Sequence, residues 1–124
     1  MMQPDELSPE PVLNLPELLA RVENDSELLR ELIDIGKVDI PRHISLLREA
    51  VAQADMKNIE KSGHTLRGML SSLAATRAAA AAGHLEQLAR SGDTTSLRSA
   101  VTIFESEIAR LMTELEAYMA NIRP

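Results

Sequence analysis

The sequence predicts an all-α protein: an antiparallel four-helix bundle with a short extra N-terminal helix. Aromatic residues make up only 2% of the 124 residues, and there is no tryptophan or cysteine. The core must therefore be built from Leu, Ile, Val, Ala and Met, a mixture that favours helices over a β-sandwich. In addition, four long segments repeat apolar residues every three or four positions and are joined by short connections, which is typical of an antiparallel bundle.

The chain begins with a segment that predicts no regular structure. Residues 1–13 hold three prolines among acidic residues, so we expect a flexible leader or linker there. The bundle domain is expected over residues 14–124. Its first element is a short helix from about Pro16 to Glu23, with Asn14 as a possible N-cap.

The next stretch, residues 26–54, carries a helical apolar stripe. Asn24, Asp25 and Ser26 break the preceding helix and cap this one. Gly36 and Pro41 interrupt the pattern and predict a kink or a short break. The sequence alone leaves open whether residues 26–54 form one kinked helix or two.

The third segment follows Asp55, a plausible N-cap, and contains a histidine outside its apolar seam. The predicted buried seam consists of Ile59, Gly63, Leu66, Leu70 and Leu73. The opposite face consists of Lys57, Glu60, Lys61, His64, Arg67, Gly68 and Ser71. Basic residues therefore surround His64 although the chain as a whole is acidic.

Two further helices complete the predicted bundle. The fourth runs from about Ala75 to Arg90, and the small residues on its core face allow close packing. Ser91, Gly92 and Asp93 end it and cap the last helix. That helix has the clearest apolar period in the chain, formed by Leu97, Val101, Phe104, Ile108, Leu111, Leu115, Met119 and Ile122.

Composition excludes several classes of function. A net charge of -6 and a pI of about 5.0 argue against sequence-independent nucleic-acid binding, which requires a basic face. No apolar run approaches the roughly 18–20 residues of a membrane span, so we expect no direct membrane contact. His43 and His84 lack partners at metal-site spacing, and a Gly-rich phosphate loop is missing, so neither a metal nor bound ATP is expected in this chain.

The segment from Gly63 to Gly68 is the most informative part of the sequence. A glycine inside a helix costs roughly 1 kcal/mol relative to alanine, yet glycines occur on both sides of His64. Gly63 would let a neighbouring helix approach closely. Gly68, one turn beyond the histidine, would leave the imidazole accessible, and Arg67 on the same face could hold a cation beside it.

These residues resemble the histidine-containing phosphotransfer (HPt) domain of bacterial phosphorelays. The matching segment reads Gly-His-Thr-Leu-Arg-Gly-Met-Leu-Ser-Ser-Leu-Ala-Ala over residues 63–75, and the order and spacing of other family positions fit from about residue 14 to 122. This sequence departs from the family pattern at three places. Arg67 replaces the usual lysine, Ala74 replaces a glycine, and Gly36 stands where phenylalanine is common.

The resemblance implies a function for His64. It would accept a phosphoryl group from an aspartyl phosphate on a response-regulator receiver domain and pass the group to another receiver. Arg67 would stabilise the phosphoryl oxygens and Gly68 would give access to the ring. Two weaker assignments are Lys61, as a source of positive potential, and Glu86, as the residue that orients the ring.

The resemblance also carries expectations about context. The domain would need no cofactor, because Mg²⁺ belongs to the receiver partner. It would act as a monomer in the cytoplasm, as part of a hybrid sensor histidine kinase whose other parts could lie in the membrane. Whether it counts as an enzyme stays open, since a phosphocarrier domain has no ATP site of its own.

Two other classes of function remain open at this point. One is a docking module that binds a receiver or another protein but carries no phosphate, with Ala74 and Gly36 as its sequence hints. The other is the dimerisation and phosphoacceptor domain of a histidine kinase. Such a domain forms its bundle from two copies, so a monomer in solution would count against it.

Overall fold

A computed structural model describes residues 10–121, which form five helices and no strand. The all-α prediction is therefore confirmed. The helices are α1 (Leu15–Arg21), α2 (Ser26–Ala52), α3 (Met56–Ser72), α4 (Thr76–Ser91) and α5 (Thr94–Asn121). Among the described residues, no helix is long and apolar enough to cross a membrane.

Four of the five described helices begin at the capping residues that the sequence predicts. The Asn14 side chain accepts a hydrogen bond from the Glu17 backbone N–H at 3.2 Å. Asp25 and Asp55 do the same for the first turns of α2 and α3, and Asp93 caps α5. Each cap gives a backbone N–H at the helix start a partner that the helix itself cannot supply.

The question of one helix or two between residues 26 and 54 is resolved in favour of one. Helix α2 continues through both Gly36 and Pro41. Pro41 cannot donate to the Lys37 carbonyl, but both residues are exposed, so water can satisfy that carbonyl. At Gly36, a Cβ atom would lie 3.1 Å from Leu73 Cδ1. The Leu73 side chain therefore fills the space beside this glycine.

Short connections and a continuous core make α2–α5 an antiparallel bundle. Helix α3 packs against α2 and α4, while α5 packs against α4 and also contacts α2. Ala75, Ala78 and Ala82 are 0%, 1% and 0% exposed, which confirms the predicted packing face of α4. The largest fully buried side chains are Phe104, Leu18, Leu29, Ile33, Ile40, Leu47, Ile59, Leu66, Leu70, Leu85, Leu111 and Leu115.

Helix α1 is attached to the connection between α3 and α4. Leu18 is fully buried, and the Asn14 backbone N–H donates to the Ala74 carbonyl at 2.9 Å. Val12 and Leu13, at the end of the predicted leader, are partly buried against the core. Residues 1–9 of that leader, and Ile122 of the last apolar stripe, lie outside the described residues.

Left-handed backbone conformations and a buried ion pair both cost stability in this fold. Ala74 has a φ of 56°, a left-handed conformation that glycine adopts more readily than alanine. Between α4 and α5, Arg77 Nη2 lies 2.7 Å from Glu107 Oε2, with side chains only 8% and 12% exposed. Glu107 Oε1 is buried and has no hydrogen-bond partner among residues 10–121. This ion pair therefore carries a large desolvation cost.

Candidate phosphoacceptor site

His64 lies on the solvent-facing side of α3. The seam formed by Ile59, Gly63, Leu66 and Leu70 is buried, as predicted. The His64 side chain is 66% exposed. The histidine therefore contributes little to the core, and its ring can be reached from solvent.

Gly63 brings the backbone of α4 against α3. A Cβ atom at Gly63 would lie 3.1 Å from the Ala82 carbonyl oxygen and 3.1 Å from the Glu86 backbone nitrogen. Such distances are shorter than ordinary van der Waals contacts, so only glycine allows the two helices to lie this close together. Because Glu86 belongs to the contacted backbone, the same close approach places its side chain beside His64.

Gly68 leaves open space beside the histidine. A Cβ atom built at this position would have no neighbouring atom within 4 Å, and the residue is exposed. Packing therefore does not require a glycine here. This observation supports the prediction that the missing side chain gives access to the ring.

Glu86 is a buried carboxylate surrounded by cations. Its side chain is 8% exposed, and its Oε2 atom lies 2.9 Å from His64 Nδ1. Arg67 Nε lies 3.1 Å from Oε1, and Arg90 Nη2 lies 3.0 Å from Oε2. Burial alone would raise the pKa of the Glu86 carboxyl. The hydrogen bond from His64 and the charges of Arg67, His64 and Arg90 outweigh this effect and hold that pKa below its ordinary value.

The ionised carboxylate determines which ring nitrogen of His64 carries the proton. An ionised carboxylate can only accept hydrogen bonds, so Nδ1 must donate to Glu86. The lone pair of the neutral ring is then on Nε2. Arg67 Nη2 also lies 3.1 Å from Nδ1. Because Nδ1 is protonated, it cannot accept a hydrogen bond from Arg67. We interpret the short distance as the result of both groups, the imidazole N–H and the guanidinium, donating to the Glu86 carboxylate.

Gly83 on α4 makes room for Arg67. A Cβ atom at Gly83 would lie 3.1 Å from Arg67 Cδ, so the arginine side chain lies across the glycine. This path leads the guanidinium to both Glu86 and His64. The structure thus brings together an exposed imidazole, an orienting carboxylate and a cation. This set can bind a phosphoryl group and form a bond to it at Nε2.

Comparison with known proteins agrees with this geometry. The family model described as "Hpt domain" matches residues 31–122, which is more than half of the chain. The chain belongs to the Hpt domain family. Hpt domains carry out phosphotransfer in two-component signalling and interact with receiver domains. Searches of curated proteins and of solved structures found no match.

Lys61 of this Hpt domain does not join the Glu86 cluster. It is exposed and lines a groove of about 330 Å³ between α2 and α3, together with His43, Ser62 and Thr65. Lys61 therefore lies on the α2 side of the histidine, whereas Arg67 and Glu86 lie on the α4 side. Its assigned contribution to the local potential stays a prediction.

Sequence reasoning missed three residues that the structure places around the site. Gly83 accommodates Arg67, and Arg90 bridges Glu86 to Glu60 on α3. The sequence could have indicated Arg90, because it lies four residues after Glu86 on one helix. It could also have indicated Gly83, a glycine within an alanine-rich helix. No sequence pattern indicates the pairing of Arg90 with Glu60, because that pairing depends on how α3 and α4 face each other.

The described residues offer little for a metal ion. Within residues 10–121, no cluster of three or more His, Cys, Asp or Glu side chains could hold one. The acidic side chains that Arg90 joins, Glu60 and Glu86, are both engaged by arginine. The polar groups of the site are therefore arranged around the imidazole.

Proposed function

We propose that this Hpt domain is a phosphorelay intermediate. His64 accepts a phosphoryl group from an aspartyl phosphate on one receiver domain and transfers it to another. One observation carries the proposal: Glu86 holds Nδ1 at 2.9 Å, which leaves Nε2 as the nucleophile of a ring that is 66% exposed. Open space at Gly68 adds room for the approach of a receiver.

The chemistry follows from the tautomer. The Nε2 lone pair forms a bond to phosphorus, and the bond between phosphorus and the aspartyl oxygen breaks to release the receiver carboxylate. The proton stays on Nδ1, so the ring gains positive charge as the bond forms. Glu86 offsets this charge. Phosphoryl transfer asks a protein mainly for positioning and charge stabilisation, which this cluster can supply.

The remaining site residues have supporting roles in this proposal. Arg67 is within reach of the ring and donates to the transferred phosphoryl oxygens, which concentrate negative charge. Gly68 leaves a path to Nε2. Lys61 raises the positive potential from the α2 side. The Mg²⁺ ion that assists transfer is expected on the receiver, whose own acidic residues would hold it.

The proposal includes a setting for the domain. It acts as a monomer in the cytoplasm, and one arrangement that fits is the relay domain of a hybrid sensor histidine kinase. Light scattering of the purified protein would test the monomer. A stable dimer would instead favour the kinase dimerisation domain that the sequence left open.

Transfer from a phosphorylated receiver tests the main proposal. The protein is incubated with a receiver carrying labelled phosphate, and the label is followed by gel after acid or base treatment. We expect acid-labile, base-stable label on wild type and on His84→Gln, and none on His64→Gln. His84 is a matched control because it is an exposed histidine on the neighbouring helix.

Two results would contradict the proposal. Label that persists in His64→Gln would place the phosphoryl group elsewhere. An absence of label with several receivers, from protein that is folded and helical, would favour the docking module. Of the two sequence departures that hinted at such a module, Gly36 is accommodated because Leu73 packs beside it, whereas Ala74 adopts a left-handed φ that costs stability.

A further inference from the structure

Arg90 connects the two helices around the histidine. Its Nε atom donates to Glu60 Oε2 at 3.0 Å, and its Nη2 atom donates to Glu86 Oε2 at 3.0 Å. Glu60 precedes His64 by one turn of α3, and Glu86 precedes Arg90 by one turn of α4. A chain of contacts therefore runs from Glu60 through Arg90 and Glu86 to the imidazole.

These contacts matter because a carboxylate beside a nucleophilic histidine has two opposing effects. A carboxylate orients the Nδ1 proton, but it also stabilises the imidazolium, in which neither nitrogen has a free lone pair. The conflict is strong here, because the Glu86 side chain is only 8% exposed and is weakly screened by water. Cations on the carboxylate oxygens reduce their basicity. Arg67 lies against Oε1 and Arg90 against Oε2.

We propose that Arg90, held in place by Glu60, is a positioning residue for phosphotransfer. It fixes the Glu86 carboxylate and limits its basicity. Glu86 then orients the neutral ring of His64 without strongly stabilising the protonated ring, which cannot act as a nucleophile. This inference rests on the proposed function of His64. The charged or titratable groups that form the site or line the grooves on either side of it are Asp55, Glu60, Lys61 and Arg67 on α3 and its N-cap, His84, Glu86 and Arg90 on α4, and His43 and Glu49 on α2.

The test compares three variants of the full chain. Arg90→Gln removes the charge, and Arg90→Lys keeps the charge without the planar fork. Arg48→Gln is the matched control: Arg48 is also an exposed arginine in an ion pair between helices, with Glu105 Oε2 at 2.6 Å, but that pair joins α2 to α5, whereas His64 and Glu86 lie on α3 and α4. The His64 titration is followed by NMR of protein with ¹⁵N-labelled histidine, without phosphate or receiver. The rate of phosphotransfer from a receiver is then measured as a function of pH.

For Arg90→Gln we expect the midpoint of the His64 titration to rise by about 0.5 pH unit, the size of one partly screened charge a few ångströms from the ring. The acid limb of the transfer profile should move up by the same amount. Transfer at pH 7 should fall by at most about threefold, the limit set by a shift of this size, and should recover above pH 8, as expected for a larger protonated fraction. Arg90→Lys should lie close to wild type, and Arg48→Gln should change neither measurement.

Several outcomes would overturn the inference. An unchanged His64 titration in Arg90→Gln would show that Arg90 does not act through Glu86. Slower transfer at every pH with a wild-type titration would assign Arg90 to receiver contact instead. The NMR measurement does not depend on phosphate, so it separates this inference from the proposed function. If wild-type protein took no label while Arg90→Gln still shifted the titration, the phosphorelay would fail and the electrostatic link alone would remain.

Discussion

Two glycines on α3 allow a matched test of what each of them does. Gly63 and Gly68 lie on the same helix, one on each side of His64, and both are to be replaced by alanine. The two variants have identical composition and gain the same intrinsic helix propensity. Any difference between their stabilities therefore reports the surroundings of the added methyl group.

The expected magnitudes follow from those surroundings. At Gly68 the new methyl group meets no atom within 4 Å. The variant should therefore gain the full helix-propensity difference of about 1 kcal/mol. At Gly63 the methyl group would lie 3.1 Å from the Ala82 carbonyl oxygen and from the Glu86 nitrogen. Both are backbone atoms that cannot rotate away. Overpacking of this kind costs about 1–3 kcal/mol, which leaves Gly63→Ala less stable than wild type by roughly 0–2 kcal/mol.

Urea and thermal unfolding, followed by far-UV circular dichroism, would measure both variants. For a domain of this size about 1 kcal/mol corresponds to roughly 4 °C in Tm. We expect Gly68→Ala to melt about 4 °C higher than wild type and Gly63→Ala up to about 8 °C lower. If Gly63→Ala proved as stable as Gly68→Ala, the close approach of α3 and α4 would be refuted, and with it the placement of Glu86 beside His64.

Four other predictions concern single features of the chain. Ala74→Gly should raise the free energy of unfolding by up to about 1 kcal/mol, measured by urea titration, because relief of the left-handed φ of 56° is worth about 1–2 kcal/mol and loss of the buried methyl group costs about 0.8 kcal/mol; a less stable variant would mean that the turn is unstrained. Arg77→Met alone should cost about 3–5 kcal/mol, because it leaves the buried Glu107 carboxylate without this cation, and adding Glu107→Leu should recover most of the loss. A double variant no more stable than Arg77→Met would contradict this coupling. Folding lowers the pKa of Glu86, so its contribution to stability is present above the unfolded value near 4.3 and is lost as pH falls through the lower folded value. Glu86→Gln should therefore flatten the decline of stability below about pH 5, and an unchanged decline would exclude Glu86 as its source. Gly68→Leu should leave the fold intact but slow phosphotransfer from a receiver, and an undiminished rate would show that access does not depend on this glycine.

Most of the secondary structure could be predicted because its signals are local. Asn14, Asp25 and Asp55 each precede an apolar repeat, and each of them caps a helix in the structure. The continuity of α2 through Pro41 could not be predicted in this way. It depends on the orientation of this proline toward water and on the side chain of Leu73, which is distant in sequence and fills the space at Gly36.

In the candidate site, too, residues within one helix could be predicted, whereas contacts between helices could not. His64 and Arg67 follow from a motif within one helix, so the sequence identifies them as neighbours. Glu86 could be suggested only through the family resemblance, and its burial and its contacts with His64 and Arg67 depend on how closely α4 lies against α3. Arg90 joins the site through its bridge to Glu60 across two helices, and no pattern within either helix indicates that bridge.

Three glycines around the site lower the intrinsic stability of the helices that carry them. Gly63, Gly68 and Gly83 all lie inside helices, where each costs about 1 kcal/mol relative to alanine. Together that is about 3 kcal/mol, a large share of the roughly 5–15 kcal/mol by which such domains are stable. Packing explains only Gly63, because the backbone of α4 occupies the place of its side chain. A Cβ atom at Gly68 would lie in open space, and a Cβ atom at Gly83 would meet the flexible Arg67 side chain, which could move aside. What these two glycines have in common is His64: one leaves its ring open to solvent and the other makes room for the Arg67 side chain beside it.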